Sequence, residues 1–411
     1  MTIIRQLVWR YFKGKRSVNV VPVLGRISMV AIAVGSCALI VLLSVFNGFD
    51  DLVKDLYKAF YPEIKITPKQ GKFFSFTPIE RQQTKSIKGI EAIASTIEDN
   101  VLLNNEKEQM VATLKGVDNN YFKVNGIKQF IYDGIDTVST QPEPTALLGL
   151  FIADQMGLTT KDAFAKLTVY YPNTHSSNLA LNPTNAFQSL ALVPTGVFRV
   201  QDEFDRKYIL APIASVQNLL LQEGKYSAIE IKLKPNVDAI KIVGALSSLD
   251  CYKNCNIETR YQQNRTMYMV MQTEKWAVYT ILLLVLLIAS FNMVGALTML
   301  VLEKRKDIAI LRVMGAQKSS INSIFIAEGV LWALVGGLFG MGIGLALCYG
   351  QIHFQWLKLQ GAFIIDTYPV AIRWEDILVV IITVIVVGFL AAIFPALKST
   401  RAEDPTLKSA Y

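Results

Sequence analysis

Histidine and cysteine are scarce in these 411 residues, with two of the first and four of the second. A site that depends on imidazole for proton transfer or metal ligation has little to draw on. His175 falls in a polar, turn-rich stretch and His353 lies near Trp356 at the end of an apolar one, so neither suggests catalysis. The phosphate loop G-x-x-x-x-G-K-[ST] is missing. Gly14-Lys15-Arg16-Ser17 lacks its upstream glycine and reads as basic flank. Nucleotide hydrolysis by this chain is therefore unsupported. Charge is missing too, over long stretches: residues 27–49, 278–302 and 377–397 hold no acid or base, and 329–357 holds only His353.

Those gaps define what is present. The chain is 52% hydrophobic, with a mean hydropathy of +0.35, and each uncharged run reaches the ~20 residues needed to cross ~30 Å of hydrocarbon. Four membrane spans are expected. The first run is too long for the apolar part of a cleaved signal peptide, and no clean cleavage pattern follows it. Basic residues near span ends fix orientation. Arg5, Arg10, Lys13, Lys15, Arg16 and Arg26 precede the first span, and Lys304, Arg305, Lys306 and Arg312 follow the second. Lys398, Arg401 and Lys408 follow the fourth, whereas the connection after the third offers only Lys358 and Arg373. Both termini and the 303–318 connection are thus expected in the cytoplasm. The net charge of +8 is mostly this bias and gives no reason to invoke nucleic acid. Glu328, near the start of the third span, is the exception to the uncharged interior. A single carboxylate at a span end is more often paired than part of an ion path.

The expected organisation is a cytoplasmic amphipathic segment (1–26), spans at 27–49, 276–302, 319–350 and 376–397, and a large α+β domain outside (50–275). A cytoplasmic helical connection (303–318), a short outer connection (351–375) and a cytoplasmic tail (398–411) complete it. In the outer domain, alternation predicts strands at 63–67, 109–115 and 228–234, the last with Ile229, Ile231 and Leu233 on one face. Strand-like runs also cover 166–171 and 192–200. Helices are expected at 146–156, closed by Gly157, and at 237–249. The turn-rich stretch through Tyr171, Pro172, Asn173, Asn182 and Pro183 reads either as a surface loop or as an arm that touches a partner. Cys251 and Cys255 lie outside, where a disulfide can persist, though C-x₃-C spacing alone leaves the pairing open. Cys37 and Cys348 are apolar packing residues within spans.

The connection Glu303-Lys304-Arg305-Lys306-Asp307-Ile308-Ala309-Ile310-Leu311-Arg312-Val313-Met314-Gly315 has helical spacing behind its charges, with Gly315 placed to end the helix. It reads as a membrane-surface helix or as a docking helix. This segment, followed by Ala316-Gln317 and a small-residue-rich span, resembles the connection between the second and third helices of FtsX-like ABC permeases. Leu43-Ser44-Val45-Phe46-Asn47-Gly48-Phe49 is similar to the passage by which the first span of lipoprotein-releasing (Lol) permease subunits leaves the membrane. Trp9-Arg10-Tyr11-Phe12, Phe394-Pro395-Ala396 and Ala402-Glu403-Asp404-Pro405 extend the resemblance over essentially the whole chain.

The resemblance implies a permease subunit without its own nucleotide site, paired with an identical or related second subunit and a cytoplasmic ABC ATPase dimer. ATP and Mg would bind to that ATPase. Glu303, Lys304, Arg305, Asp307, Ile308, Leu311, Arg312, Met314 and Gly315 would dock it. Gln317 departs from the Ser or Thr common after Gly-Ala in the family, which leaves the next helix's cap to come from elsewhere. Val45, Phe46, Asn47, Phe49, Met267 and Met271, with Trp276 beside them, would line a lipid cavity between the first two spans of two subunits. The stretch around Tyr171 would engage a periplasmic lipoprotein carrier. The family also implies an inner-membrane location and leaves two alternatives. One is a MacB-like exporter of peptides or antibiotics, the other an FtsX-type signal transducer acting on cell-wall hydrolases.

Overall fold

The computed structural model describes residues 20–105, 108–160, 166–173, 186–358 and 367–401. The chain divides into two compact units. The α/β unit is Val53–Tyr268, and the helical unit holds the described residues before Val53 and from Met269 onward.

Four helices are long and apolar enough to cross a membrane: Val20–Tyr57, Arg265–Glu303, Lys318–Phe354 and Trp374–Arg401. They outrun the uncharged stretches that announce them. The first has 38 residues, about 57 Å of helix against ~30 Å of hydrocarbon. Apolarity marks the bilayer, whereas backbone hydrogen bonding sets where a helix ends. The first helix therefore continues through Asp50, Asp51, Lys54 and Asp55. Its core-facing side, Ile32, Leu39, Ile40 and Leu43, meets Leu286, Met293 and Leu297 of the second helix. Trp332 and Ala333 of the third and Val380, Val384 and Val387 of the fourth complete the cluster. Lipid is as apolar as these side chains, so close backbone approach matters more here than burial. Gly340 supplies it. A Cβ there would collide with the Ala33 carbonyl of the first helix, and at the same crossing the Ser36 hydroxyl donates to the Gly337 carbonyl at 3.1 Å.

Twelve strands are described in the α/β unit. They are β1 (Ile64–Pro68), β2 (Phe74–Ser75), β3 (Ile90–Asn105), β4 (Glu108–Val117), β5 (Ile131–Gly134), β6 (Thr145–Gly149), β7 (Leu167–Pro172), β8 (Phe187–Phe198), β9 (Tyr208–Pro212), β10 (Lys225–Tyr226), β11 (Ala228–Leu233) and β12 (Cys255–Thr259). Ten form one mixed sheet in the order β12-β1-β11-β3-β4-β9-β6-β8-β5, with β7 paired to both β3 and β8. β2 and β10 form a separate ribbon. The pairings β4–β9 and β6–β8 are parallel. On β11 the expected alternation holds: Ile229, Ile231 and Leu233 enter one core cluster. The expected helix at 146–156 is a correction. Residues 145–149 form β6, and only Leu150–Gln155 is helical. Ala146, Leu147 and Leu148 are fully buried between β8 and β9, and this sheet environment overrides the helix preference of alanine and leucine.

Glu230, on the other face of β11, explains why an acid sits in a buried strand. Its carboxylate is fully buried and accepts from Lys115 Nζ on β4 at 2.7 Å and from Asn125 Nδ2 at 2.5 Å. Glu98, on the intervening β3, lies 3.8 Å from the same ammonium. Burial alone would lower the Lys115 pKa, but Glu230, Tyr121 and Glu98 hold it well above the usual lysine value. Removing one member strands the other charge in the interior. Lys115→Met is therefore expected to cost about 3–5 kcal/mol in urea unfolding, and adding Glu230→Leu to recover much of it. A single-mutant cost within error of zero would contradict this.

Candidate functional site

The second membrane helix ends at Glu303, and after one residue, Lys304, the chain turns into the short helix Arg305–Val313. Lys304 pairs with Asp307 at 3.4 Å across that start. At its end, Gly315 takes a φ of +89°. The Gly315 N–H donates to Arg312 and the Ala316 N–H to Leu311, at 3.0 and 2.9 Å, a Schellman closure that requires a residue tolerant of the left-handed region. Gln317 then opens the third helix with no side-chain cap.

The short helix has two apolar stripes, and the structure decides between them. Ile308 is 7% exposed and packs into the core of its own helical unit, with Ile321, Phe325 and Leu300 in the same cluster. Leu311 and Arg312 are half-buried. Ile308 is therefore a correction: it anchors the helix and does not face a partner. The open face carries Ile310, Val313 and Met314, the last two 90% and 76% exposed, together with Lys306. Of these, only Met314 was expected from the sequence; Lys306, Ile310 and Val313 were missed. Both stripes satisfy helical spacing, so only knowledge of the packed side separates them. Glu303, Arg305 and Gly315 are exposed and Asp307 is half-buried.

A polar cluster joins the opposite ends of the membrane helices, those that lead into the α/β unit. Asn47, 1% exposed, donates from Nδ2 to Asp376 Oδ2 at 2.5 Å and to the Ala371 carbonyl at 3.3 Å. Lys275 Nζ donates to Asn47 Oδ1 at 2.9 Å and to Asp376 Oδ1 at 3.2 Å. One turn along, Arg373 pairs with Asp50 and Asp51 at 3.3 and 2.7 Å. The segment before the fourth helix is thereby strapped along the first. The Ala371 N–H donates to the Ser44 carbonyl at 2.9 Å, and the Phe49 ring meets Tyr368 edge-on at 5.2 Å. Gly48 is required by this contact, since a Cβ would strike the backbone of Pro369 and Val370.

Asn47 is thus a member of a closed polar network, which corrects its expected place as an apolar cavity wall. Met267 is a second correction, because it packs against the aromatic core of the α/β unit. Val45, Phe46, Phe49 and Met271 are half-buried, and Trp276 is exposed. Lys275 and Asp376 were not anticipated. Their partners lie 228 and 329 residues from them along the chain, and nothing in local spacing signals such pairs. Glu328 is buried and accepts from Trp332 Nε1 at 2.9 Å. A groove of about 560 Å³ with apolar walls, including Met29, Ala33, Gly336 and Phe339, opens between the first and third helices.

These parts have counterparts in known proteins. Residues 279–403 match the FtsX-like permease C-terminal family, and residues 27–164 match the MacB-like periplasmic core domain family. The chain is 27% identical to the lipoprotein-releasing system transmembrane protein LolE of Haemophilus influenzae, over 98% of each chain. Its C-terminal part is thus similar to FtsX-like permeases. The chain is also 28% identical to the lipoprotein-releasing system transmembrane protein LolC of Buchnera aphidicola subsp. Schizaphis graminum, over 91% of each chain. Among solved structures it is similar to the periplasmic region of MacB from Actinobacillus actinomycetemcomitans, with a TM-score of 0.37 and 14% identity, covering 53% of this chain and 98% of that chain.

In the α/β unit, β7 and β8 run as an antiparallel pair to Pro172 and Phe187, and the Asn173 N–H extends the ladder to Ala186. The Tyr171 hydroxyl donates to Asp99 at 3.0 Å, so Tyr171 ties the end of β7 to β3. Asn182 and Pro183 lie outside the described residues. Cys251 and Cys255 stand as free thiols, and burial raises the pKa of each. The two faces of Arg305–Val313 generate one prediction. Ile308→Asp is expected to lower the amount of folded protein in the membrane, whereas Ile310→Asp with Met314→Asp leaves it as in the parent. An Ile308→Asp protein recovered at wild-type yield would contradict this packing.

Proposed function

We propose that this chain is the membrane subunit of an ABC transporter that extracts lipoproteins from the inner membrane and passes them to a periplasmic carrier. The observation that carries the reading is the near end-to-end similarity to LolE and LolC. The work required is large. Withdrawing acyl chains from hydrocarbon costs about 0.8 kcal/mol per methylene, so three chains with on the order of fifteen methylenes each come to roughly 36 kcal/mol without an apolar shelter.

On this reading the shelter lies between the ends of the first and second helices of two permease subunits, identical or related, with Val45, Phe46, Phe49 and Met271 as wall residues. Such residues adapt their shape to a flexible chain. Energy comes from a cytoplasmic ATPase dimer that holds ATP and Mg and seats in contact with Ile310, Val313 and Met314. The permease itself catalyses no reaction. The distribution of its lysines and arginines supports a cytoplasmic side for both termini and the short helix and a periplasmic side for the α/β unit. The stretch around Tyr171, Pro172, Asn173, Asn182 and Pro183 is the part that reaches the carrier.

Depleting the permease in cells tests the reading. Lipoproteins destined for the outer membrane are expected to accumulate in the inner membrane. Normal sorting, with altered sensitivity to antibiotics or peptides instead, would overturn it in favour of an exporter.

A further inference from the structure

Three helices meet in the polar cluster, and they are not held alike. The first and the start of the fourth are joined by two sets of contacts one turn apart, the buried Asn47 to Asp376 and the more open Asp50 and Asp51 to Arg373. Among the described residues the second helix enters this cluster through one side chain, Lys275, and farther along its Tyr279 hydroxyl meets Thr383 of the fourth helix at 2.6 Å. Asn47 and Asp376 are 1% and 9% exposed, but the Lys275 side chain is one-third exposed. A lysine so placed keeps its ammonium within reach of water and has a long stem that can withdraw.

Its withdrawal strips Asn47 Oδ1 of a donor and Asp376 Oδ1 of its counter-ion, so these two bonds hold the closed state, while the other contacts of the cluster survive. Asp376 keeps the Asn47 amide and stands in the first turn of the fourth helix, where the helix dipole favours an anion. Asn47 keeps both of its acceptors, Asp376 and the Ala371 carbonyl. The cluster is thus built so that the second helix can leave it while the first and fourth stay joined.

We propose that Lys275 is a positioning residue that closes the gap between the first and second helices when the permease is empty and releases it when acyl chains enter. The proposal rests on the lipoprotein-release reading for its cargo, but the gap itself can be measured without cargo. Spin labels on Val45→Cys and Met271→Cys, in an otherwise cysteine-free permease assembled with its ATPase, report the distance between the two helix ends. Lys275→Met is expected to lengthen and broaden that distance in the empty complex, and Lys275→Arg to leave it as in the parent. In proteoliposomes Lys275→Met raises cargo-independent ATP hydrolysis several-fold and lowers lipoprotein released per ATP several-fold, and Lys275→Arg restores both.

Asp376→Asn is the second variant, because it keeps hydrogen-bonding capacity toward Asn47 while removing the charge that retains Lys275. It is expected to widen the distance as Lys275→Met does. Unchanged distances in both variants overturn the proposal, as does an Arg substitution as defective as Met. If the parent complex releases no lipoprotein at all yet the distances shift as expected, the latch stands and the assignment of its cargo fails.

Discussion

Hydrocarbon offers no hydrogen-bond partner, so whatever is polar in a membrane-spanning chain must be matched within the protein or kept at the bilayer edge. The helical unit largely follows this constraint, with Glu328 Oε2 a buried exception. Its long interiors are apolar, and the buried Glu328 is bonded to Trp332. The residues that bind one helix to another through charge, Lys275, Asp376, Arg373, Asp50 and Asp51, gather at the ends of those interiors. With little hydrophobic drive between helices in lipid, small residues such as Gly340 and the Ser36 hydroxyl set the spacing. The same rule accounts for the Asn47-Gly48 pair. The amide closes a polar network, and the absent side chain lets the strap before the fourth helix lie against the first.

Much of the fold was legible because the constraint writes itself into composition. An uncharged run of twenty or more residues is hard to place anywhere but in hydrocarbon, and all four became helices. Strand β11 was legible through its period of two. Residues 146–156 were not, since a short apolar run looks the same in a buried strand as in a buried helix. There the neighbouring strands β8 and β9 decided the outcome. Glu230 escaped notice for a related reason: nothing local reveals that Lys115, more than a hundred residues away, will neutralise it.

The candidate site was legible in outline and misread in facing. Charge and helical spacing located the short helix, and Gly315 marked its end. Its two apolar stripes are equivalent on a helical wheel, and the sequence holds no statement of which one the bundle will cover. Ile308 went inward, so the open surface fell to Ile310, Val313 and Met314. Asn47 was expected as a cavity wall because it sits among Val45, Phe46 and Phe49. Its role emerged only with two partners from distant helices. Interactions that span hundreds of residues are written in the fold and not in any window of sequence.

The second helix thus leads to an open apolar face at one end and a charged cluster at the other, with 39 residues of continuous helix between Arg265 and Glu303. A rod of that kind would give a motor at one end a direct lever on a lipid-sized gap at the other. The central claim is that such a motor moves acylated protein. Its most direct test reconstitutes the permease and its ATPase in liposomes carrying a triacylated lipoprotein and follows transfer to soluble carrier after ATP is added. Transfer that needs ATP, the carrier and the acyl chains together is the expected result. ATP hydrolysis that moves no lipoprotein under those conditions would contradict the claim.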